Sequence, residues 1–471
     1  MTNKSGQPAI SGGIVAAIQS RAWSVFARRA RIERPNGEAS SPAGRSAIIQ
    51  TIRRLIRRLV ARLAHARVPA LVGLMLALTG LPAAAELVTP SERVRQDVDV
   101  RTMPSVQGNS IARLRPGETA TLLERVPYWY KVRLTDGREG FVSKSWSTVL
   151  PDAPGPAALA AKQTDELRIH FFNTGAGTCT MVECPGNGTR PIVVDCGSFP
   201  GSRDQNALSD ADVKARFQEI LSRYPAPDVV LSHGDLDHFN LIPVVLEGVT
   251  VNEIWQGDND ESYDATLRAW MSDQVTRGAK RQHSFPRNWH NAGQPITNGL
   301  QCGPATASVL TVNSGGSDNA NSLVLMIEYD DFSVIFTGDA EGTTEANAMQ
   351  NFSGNIKATL LTGSHHGANT KDSNSSAWAQ ATLPTVTVYS SGTKYGHPRC
   401  LAKDRLSPAL ASVEAHDAIC GTSNDDFKRY TSKRAEYMTR VNGTITATTN
   451  GRSPLRLRCE IGPGCDVRIS Y

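Results

Sequence analysis

The sequence predicts an α/β protein, in which two sheets are sandwiched between helices, preceded by a small all-β barrel. Two observations lead to this fold class. Residues 95–150 alternate apolar and polar side chains in short runs separated by turn signals. From residue 165 onward, apolar runs of strand length mix with amphipathic helical segments. A chain of 471 residues is also long enough for about two or three domains rather than one.

The amino-terminal 85 residues are strongly basic, with 13 of the 50 lysines and arginines and two of the 45 acidic residues. Residues 1–67 form a basic extension, followed by the uncharged run 68–85, which ends in three alanines. These are the parts of a secretory signal peptide. We expect cleavage after Ala85 and a secreted or periplasmic protein without a stable membrane span. An uncleaved anchor is the alternative, because the run reaches about the minimum spanning length.

The remainder of the chain is mildly acidic, because the amino-terminal segment has 13 − 2 = 11 positive charges in excess while the whole chain has a net charge of +5. This disfavours a broad basic surface for nucleic acid. All eight cysteines lie beyond residue 178. An even number of cysteines after an export signal indicates disulfides formed in an oxidising compartment, with the pairing left open and buried free thiols as the alternative. No C-x-x-C pair is present, which disfavours a cysteine zinc site.

Residues 86–150 contain five strand-like runs (VDVRTM, SIARL, TATLLE, WYKVRL and GREGFVS) with Pro-Gly and Asp-Gly turns, as in a small barrel. The whole segment resembles a bacterial SH3 domain. In that family the domain binds cell-wall peptides or docks onto a neighbouring domain. Four aromatic side chains form either a platform for peptidoglycan or the core and one flank of the barrel: Tyr128, Trp129, Tyr130 and Trp146.

Residues 151–164 are rich in proline and alanine and are expected to be a linker to the last segment, residues 165–471. The strands expected there are LRIHFF, CTMVEC, PIVVDC, DVVLS, TASVLTV, SLVLMIEY, FSVIFTG and ATLLTG. The expected helices are Ala207–Ser222, Glu261–Thr276, Glu341–Gln350, the stretch after Asp404, and Asp426–Arg440.

The densest group of chemically active side chains follows the apolar strand Asp228–Leu231. His233, Asp235, Asp237 and His238 occur within six positions of one another. Imidazole nitrogens and carboxylates are the common ligands of zinc and related metals. A loop that follows a rigid strand can direct alternate side chains to one side, so the pattern predicts a metal site more readily than a polar surface loop.

Other strand ends agree with this interpretation. One apolar strand ends at Asp339, which can bridge two metals, and another ends at His365 and His366. His397 lies in a loop between Gly396 and Pro398. An isolated Gly-Asp turn or turn histidine would carry little weight. Several strand ends that each supply a potential ligand predict a common site.

The motif HGDLDH resembles the H-x-[HD]-x-D-H signature of the metallo-β-lactamase superfamily. Further motifs follow the order found in the branch that includes the extracytoplasmic domain of the competence protein ComEC: FFNTGAG, VVDCG, NSLVLMIEYDDFSVIFTGDAE, SHHG and YGHP. The resemblance covers nearly all of residues 167–452 and implies a metallo-β-lactamase αββα sandwich. The chain departs from the branch at residues 173–178, where NTGAGT replaces D-V-G-Q-G-D. Substrate contacts of that branch are therefore in doubt.

The resemblance also implies roles for individual residues. His233 and Asp235 would bind one metal, Asp237 and His238 the second, and Asp339 would bridge them. His365 or His366 would complete one coordination shell, and Asp195 would brace the site without coordinating. The expected metal ligands are His233, Asp235, Asp237, His238, Asp339, His365 and His397. The expected catalytic residues are Asp237, Asp339, His366 and His397.

The expected cofactor is a pair of divalent metal ions, Zn²⁺ or, because of the carboxylates, Mn²⁺. Such a pair activates water and clamps developing charge. The expected function is therefore that of an exported metal-dependent hydrolase of the phosphodiesterase or nuclease type. Its expected substrate is a small molecule or a phosphodiester, which includes nucleic acid. The SH3-like barrel would dock it in the envelope. The alternatives are a lactone or β-lactam hydrolase of the same fold, and a non-catalytic cell-wall-binding protein.

Overall fold

The computed structural model describes residues 86–91, 94–150, 165–291, 294–296, 299–352, 356–462 and 465–471. The basic extension, the expected signal segment and the expected linker lie outside the described residues. Residues Ala84–Tyr471 cluster as one compact unit. Among the described residues, no helix has both the length and the apolar character needed to cross a bilayer.

Strands β1–β7 form an antiparallel sheet, here called the β-domain. They are β1 (Leu87–Pro90), β2 (Val98–Arg101), β3 (Ser110–Leu114), β4 (Ala120–Val126), β5 (Trp129–Arg133), β6 (Glu139–Ser143) and β7 (Ser147–Val149). The strand order is β3-β2-β6-β5-β4-β1-β7. All five strands predicted from the sequence are confirmed. The β-domain has its own core, in which alternate residues such as Val98 and Val100 point inward.

The α/β region, which follows residue 164, contains two larger sheets. The first sheet consists of β8 (Leu167–Phe171), β9 (Cys179–Glu183), β10 (Ile192–Cys196), β11 (Asp228–Leu231), β12 (Glu253–Gln256), β13 (Lys280–Gln282), β22 (Ile445–Thr449), β23 (Leu455–Cys459) and β24 (Val467–Ile469). Its order is β13-β12-β11-β10-β9-β8-β22-β23-β24. Strands β10 to β13 run parallel to one another.

The second sheet has the order β14-β15-β16-β17-β18-β21. Its strands are β14 (Thr306–Thr311), β15 (Val324–Tyr329), β16 (Phe332–Phe336), β17 (Leu360–Thr362), β18 (Val386–Tyr389) and β21 (Glu436–Met438). Strands β16, β17, β18 and β21 are parallel. A separate hairpin joins β19 (Ser412–Gly421) to β20 (Phe427–Arg434).

The helices are α1 (Asp210–Leu221), α2 (Leu236–Phe239), α3 (Ile242–Val245), α4 (Ala265–Thr276), α5 (Gly342–Asn351), α6 (Ser376–Thr382), α7 (Cys400–Leu406) and α8 (Thr439–Asn442). Local sequence explains the start of the two longest, α1 and α4. Ser209 caps α1 in a capping box with Asp212, and Asp264 caps α4. Val213 and Phe217 lie one turn apart on α1 and are both buried.

The main core lies between the two sheets, where Phe171 and Val194 of the first sheet share one apolar cluster with Val309 and Phe336 of the second. Helices α1, α3 and α4 pack against the first sheet in a further cluster. Helices α5, α6 and α7 supply Ala348, Trp378 and Leu406 to a cluster on the second sheet. Helices therefore pack against both larger sheets of the α/β region, and the mixed α/β character predicted from the sequence is confirmed.

The parallel segments of the two sheets determine where the polar residues meet. Ligands bind to α/β sheets beyond the carboxyl ends of parallel strands. In the first sheet, Asp195 occupies the end of β10, and His233 follows β11. In the second sheet, Asp339 follows β16, and His365 follows β17.

The β-domain docks on the second sheet. Tyr128 and Trp129 are each 5% exposed and belong to the cluster that also contains the α5 and α6 residues. Arg125 forms a two-pronged ion pair with Asp331, with both N–O distances at 2.9 Å. Lys144, which also belongs to the β-domain, donates to Glu328 of the second sheet at 2.7 Å. Of the four side chains considered as an aromatic platform, three are therefore buried, with Tyr130 (4% exposed) in the core of the β-domain, whereas Trp146 is 38% exposed.

Two helix predictions were wrong. Residues 426–440 form β20, β21 and only one short helical turn, because β20 pairs with β19 and β21 joins the edge of the second sheet. These pairings are between distant segments, so local periodicity does not reveal them. The helix expected after Asp404 instead spans Cys400–Leu406. The α-helix passes directly into the 3₁₀ turn Ser407–Ala409, because Pro408 has no backbone N–H with which to continue the α-helical hydrogen bonds.

All eight cysteines lie in the described part of the chain and form four disulfides, as expected in kind: Cys179–Cys196, Cys184–Cys302, Cys400–Cys420 and Cys459–Cys465. Cys184–Cys302 connects the first sheet to the segment before β14, and it closes the longest loop of the four. Cys400–Cys420 ties the start of α7 to β19, so it fixes the loop that carries His397.

Candidate metal centre

The loop after β11 carries the densest part of the site. Ser232 and His233 follow the last residue of β11, and α2 begins directly after Asp235. This short helix turns Asp237 and His238 back toward the strand end. His233 and His238 are fully buried, whereas the Asp235 side chain is 44% exposed.

Asp339 enters the site from the second sheet through a tight turn at Gly338. Gly338 has a φ of +52°, and a Cβ at this position would lie 2.7 Å from the Ser232 Cβ. Any larger residue would therefore push the two strand ends apart. Ser322 Oγ accepts the Asp339 backbone N–H at 3.0 Å. The carboxylate is thus fixed between the two sheets.

Asp339 uses its two oxygens in different directions. Oδ1 lies 3.0 Å from His238 Nε2 and 3.5 Å from His366 Nε2. Oδ2 lies 3.4 Å from His365 Nε2 and 3.9 Å from His233 Nε2. One carboxylate therefore faces two separate pairs of imidazoles.

The two carboxylates of the HGDLDH motif each lie beside one of the two pairs of imidazoles. Asp237 Oδ2 is 3.2 Å from His366 Nε2, on the Oδ1 side of Asp339. Asp235 Oδ2 is 3.4 Å from His233 Nε2, on the Oδ2 side. His397 is further out, with ring centroids 5.7 Å from His365 and 6.1 Å from His366. Every residue predicted as a ligand from the sequence thus lies in one cluster.

Asp195 orients the His238 ring by contacting its Nδ1 atom. Its Oδ2 is 2.8 Å from His238 Nδ1, and its two oxygens also accept from the Ser232 backbone N–H at 2.7 Å and the Ser232 hydroxyl at 2.6 Å. A carboxylate on Nδ1 leaves Nε2 to face the cluster and raises its basicity as a ligand.

His365 and His366 lie in a strained loop. Both have positive φ, +49° and +55°, which is uncommon for residues other than glycine. Asn374 holds this loop at both ends: its amide oxygen accepts the Ser364 N–H at 3.0 Å, and its amide nitrogen donates to Ser364 O at 2.8 Å and Ala368 O at 2.7 Å. We call this set of bonds the Asn374 clamp.

Glu345, on α5, fixes the backbone of Asn374 itself. Its carboxylate accepts the Asn374 N–H at 2.7 Å and the Ser375 N–H at 2.9 Å. Glu345 is 1% exposed and Asn374 is fully buried. Sequence reasoning missed both residues, because nothing local in SNSS or in the α5 sequence shows that they meet.

The charges of the cluster are strongly coupled. Burial opposes ionisation of Asp339, but the imidazoles of His365, His366 and His238 hold the pKa of its carboxyl well below the usual range. Burial also opposes charge on His238, yet Asp339 and Asp195 raise its pKa well above the usual value. For His397 burial prevails and lowers the pKa to about 3, so that imidazole is neutral near pH 7.

The donor set fits divalent metal ions. Within the described residues, His233 Nε2 and Asp339 Oδ1 are buried without a hydrogen-bond partner, although His238 Nε2 lies near the second. Ligand atoms of His233, His238 and Asp339 lie within 4.8 Å of one another, as do those of Asp237, His238 and His366. Buried polar atoms without partners are costly unless a bound ion or water satisfies them. Nitrogen and carboxylate donors suit zinc or manganese.

Glu345 provides a prediction of pH dependence. Burial, although opposed by its hydrogen bonds, raises its pKa from 4.5 to about 7. The stability that its neutral form contributes is present below about pH 4.5 and is lost as the pH rises through about 7, by roughly 3 kcal/mol at most. We therefore expect the free energy of unfolding of Glu345→Gln, relative to the parent, to increase between pH 5 and pH 8.

Denaturant unfolding of both proteins at the two pH values measures this difference, and contributions from all other titrating groups largely cancel. A difference that stays constant with pH would show that Glu345 is ionised in the folded protein throughout this range.

Comparison with known proteins identifies the β-domain. Residues 97–148 match the bacterial SH3 domain family, which confirms the resemblance seen in the sequence for this segment. A comparison with curated proteins finds no match.

Three solved structures show remote similarity. CmlA, a diiron β-hydroxylase from Streptomyces venezuelae, is 13% identical over 56% of this chain and 52% of its own, with a TM-score of 0.33. A mutant of CmlA is 12% identical over 51% and 47%, with a TM-score of 0.30. Unliganded yeast PDE1 is 12% identical over 42% and 75%, with a TM-score of 0.24. The chain spans about half the length of the two CmlA structures.

Proposed function

We propose that the α/β region has the metallo-β-lactamase αββα fold and that the protein is an exported, dinuclear-metal-dependent hydrolase of phosphodiesters. The observation that carries this proposal is the arrangement around Asp339. Its two carboxylate oxygens face two different pairs of histidines, and each pair is completed by a further aspartate from one loop. A bridging carboxylate between two nitrogen-rich sets is what a pair of metal ions requires.

From these distances we propose two sets of ligands that share Asp339. The first set is His233, Asp235, His365 and Asp339 Oδ2; the second is Asp237, His238, His366 and Asp339 Oδ1. Under this proposal each site receives one of the two adjacent histidines, a choice that the sequence left open. A bound pair of divalent ions would supply Lewis-acid activation of water and of the substrate oxygens.

The protein's own residues prepare the site for these ions. Asp195 fixes the His238 tautomer, and the Asn374 clamp holds His365 and His366 in a conformation that they would not adopt alone. His397, neutral and beside both histidines, completes the rim. We propose that it contacts the scissile group or serves as a further ligand.

A phosphodiester is the preferred substrate class for two reasons. A bimetallic clamp suits the charge that develops on phosphoryl oxygens. Lys394, in the same loop as His397, forms no ion pair among the described residues, so its charge is available to an anionic substrate. Four disulfides fit the proposed location outside the cytoplasm.

In this proposal the β-domain packs against the second sheet of the α/β region. Tyr128 and Trp129 are buried against the second sheet, so they are not available as a platform for cell-wall peptides. This weakens the alternative of a non-catalytic cell-wall-binding protein. Peptidoglycan binding would have to use another face of the β-domain.

The test begins with the full-length chain purified after expression with an oxidising export route. Elemental analysis gives the metal content per chain, and hydrolysis of bis(p-nitrophenyl) phosphate, an N-acyl lactone and a β-lactam gives the reaction class. We expect close to two metals and selective phosphodiester hydrolysis, with both lost in Asp237→Ala/His238→Ala. A protein that remains empty after incubation with zinc and manganese would refute the proposal. Lactone or β-lactam turnover without phosphodiester turnover would favour the other hydrolase class.

A further inference from the structure

A group of side chains at the rim of the metal centre has no role in holding metal. Tyr395 lies two residues before His397, and their ring centroids are 6.1 Å apart. Phe199 packs edge-to-face on Tyr395 at 5.5 Å, and Lys394 Nζ lies 5.4 Å from the centre of the Phe199 ring. We call these three residues the aromatic wall.

Tyr395 is exposed although it is large and partly apolar. It is 42% exposed, while Phe199 and Lys394 are half-buried beside it. Phe199 supports the Tyr395 ring in a T-shaped contact, which fixes the orientation of the ring. Exposed aromatic rings with a fixed orientation are suited to stacking on a flat ligand.

The backbone of Tyr395 is also strained. Its φ is +62°, in the left-handed region that few bulky residues adopt. Such strain persists where the surrounding structure enforces it, and it concentrates at binding and catalytic sites. Packing of the neighbouring loops enforces it here: Thr393 bonds to Ser202 O through both its N–H and its hydroxyl.

Charge identifies the second half of the ligand. The cluster of aspartates next to the wall would repel an anion in the absence of metal, whereas Lys394 adds a positive charge at the rim with no ion-pair partner among the described residues. A ligand that satisfies both features carries a flat ring on one side and an anionic group on the other.

We propose that Phe199, Lys394 and Tyr395 form a subsite for the aromatic group of a phosphate ester, with the ring stacked on Tyr395 and Lys394 beside the phosphate. The inference deepens the proposed function, on which it rests for the position of the phosphate. The ring can belong to a nucleobase or to an aryl ester, since both present the same flat surface.

Binding measurements test the subsite without turnover. The probes are thymidine 5′-monophosphate, phenyl phosphate and methyl phosphate, titrated calorimetrically into the full chain with and without added zinc. We expect the two ring-bearing probes to bind at least about tenfold more tightly than methyl phosphate, the lower part of the range for stacking of one base on an aromatic side chain. Equal affinity for both rings would show that the subsite accepts any aryl ester, and tighter binding of thymidine 5′-monophosphate would show that it selects nucleotides.

Three variants separate the contributions. Tyr395→Asn removes the ring but tolerates the positive φ, so it should lose the preference for ring-bearing probes and keep methyl phosphate affinity. Tyr395→Phe is the matched control and should keep the preference. Lys394→Met should weaken all three phosphates by a similar factor. Equal parental affinities, no detectable binding of any probe, or a preference that survives Tyr395→Asn would overturn the inference.

Hydrolysis of bis(p-nitrophenyl) phosphate is followed in the same preparations. Turnover without a ring preference in the binding experiment would leave the proposed function intact and refute the subsite. A ring preference that depends on Tyr395, in a protein without phosphodiesterase activity, would support the subsite and refute the proposed function.

Discussion

Asp339→Asn is expected to reduce the metal content from close to two ions per chain to at most one and to lower kcat/KM about a thousandfold or more. The substitution preserves the shape of the side chain but replaces one of the two oxygens that face separate histidine pairs. Since metal ions supply several kcal/mol of transition-state stabilisation, the loss of one ion should have an effect of this size. Elemental analysis and steady-state kinetics measure the two quantities.

A matched control distinguishes this effect from a general loss of charge. Asp273→Asn makes the same chemical change on the exposed side of α4, where Asp273 forms a surface ion pair with Arg277. It should leave metal content and kinetics unchanged. If Asp339→Asn kept both ions and near-parental activity, the bridging assignment would be wrong.

Asn374→Gly is expected to weaken metal binding and kcat/KM by about 10- to 100-fold, the usual cost of removing a residue that orients metal ligands. The clamp bonds hold both ends of the loop that carries His365 and His366. Without them the two histidines can relax from their positive φ values toward more favourable backbone conformations. Glycine is the appropriate replacement because Asn374 itself has a φ of +54°, which alanine would adopt only with strain.

Competition with a chelator gives the metal affinity, and thermal unfolding of the metal-free proteins gives the stability. Asn374→Asp keeps the acceptor but places a carboxylate oxygen against the carbonyl oxygens of Ser364 and Ala368, so its metal affinity should fall at least as far as that of Asn374→Gly. A fall in stability with unchanged metal affinity in both variants would show that the clamp supports the fold alone and does not position the histidines.

Much of the candidate site could be predicted because its residues occupy recognisable positions in the local sequence. His233, Asp339 and His365 each follow an apolar strand, and the strands are recognisable from hydrophobic patterning alone. Several strand ends that each supply a potential ligand predicted a common site, and in the structure parallel strands bring these residues to the same edge of their sheets. The eight strands expected in the α/β region are all present.

The errors and omissions occurred where distant segments decide the structure. Residues 426–440 were predicted as a helix, but β20 is stabilised by its pairing with β19, with Tyr430 opposite Ala418. Glu345 and Asn374 are 29 positions apart and interact only because α5 and the loop before α6 pack together. Such contacts depend on three-dimensional packing that no local window contains.

The sequence by itself determined the order of the strands along the chain, the residue types at their ends and the SH3-like character of the β-domain, because these follow from local patterning. Only the tertiary structure decided which oxygen of Asp339 faces each histidine, which cysteines pair, and that Tyr128 and Trp129 are buried against the second sheet. The physical reason is the same in each case. Directional bonds and close packing depend on distances of a few ångströms between groups that are far apart in sequence, and those distances are set only when the sheets and the β-domain assemble.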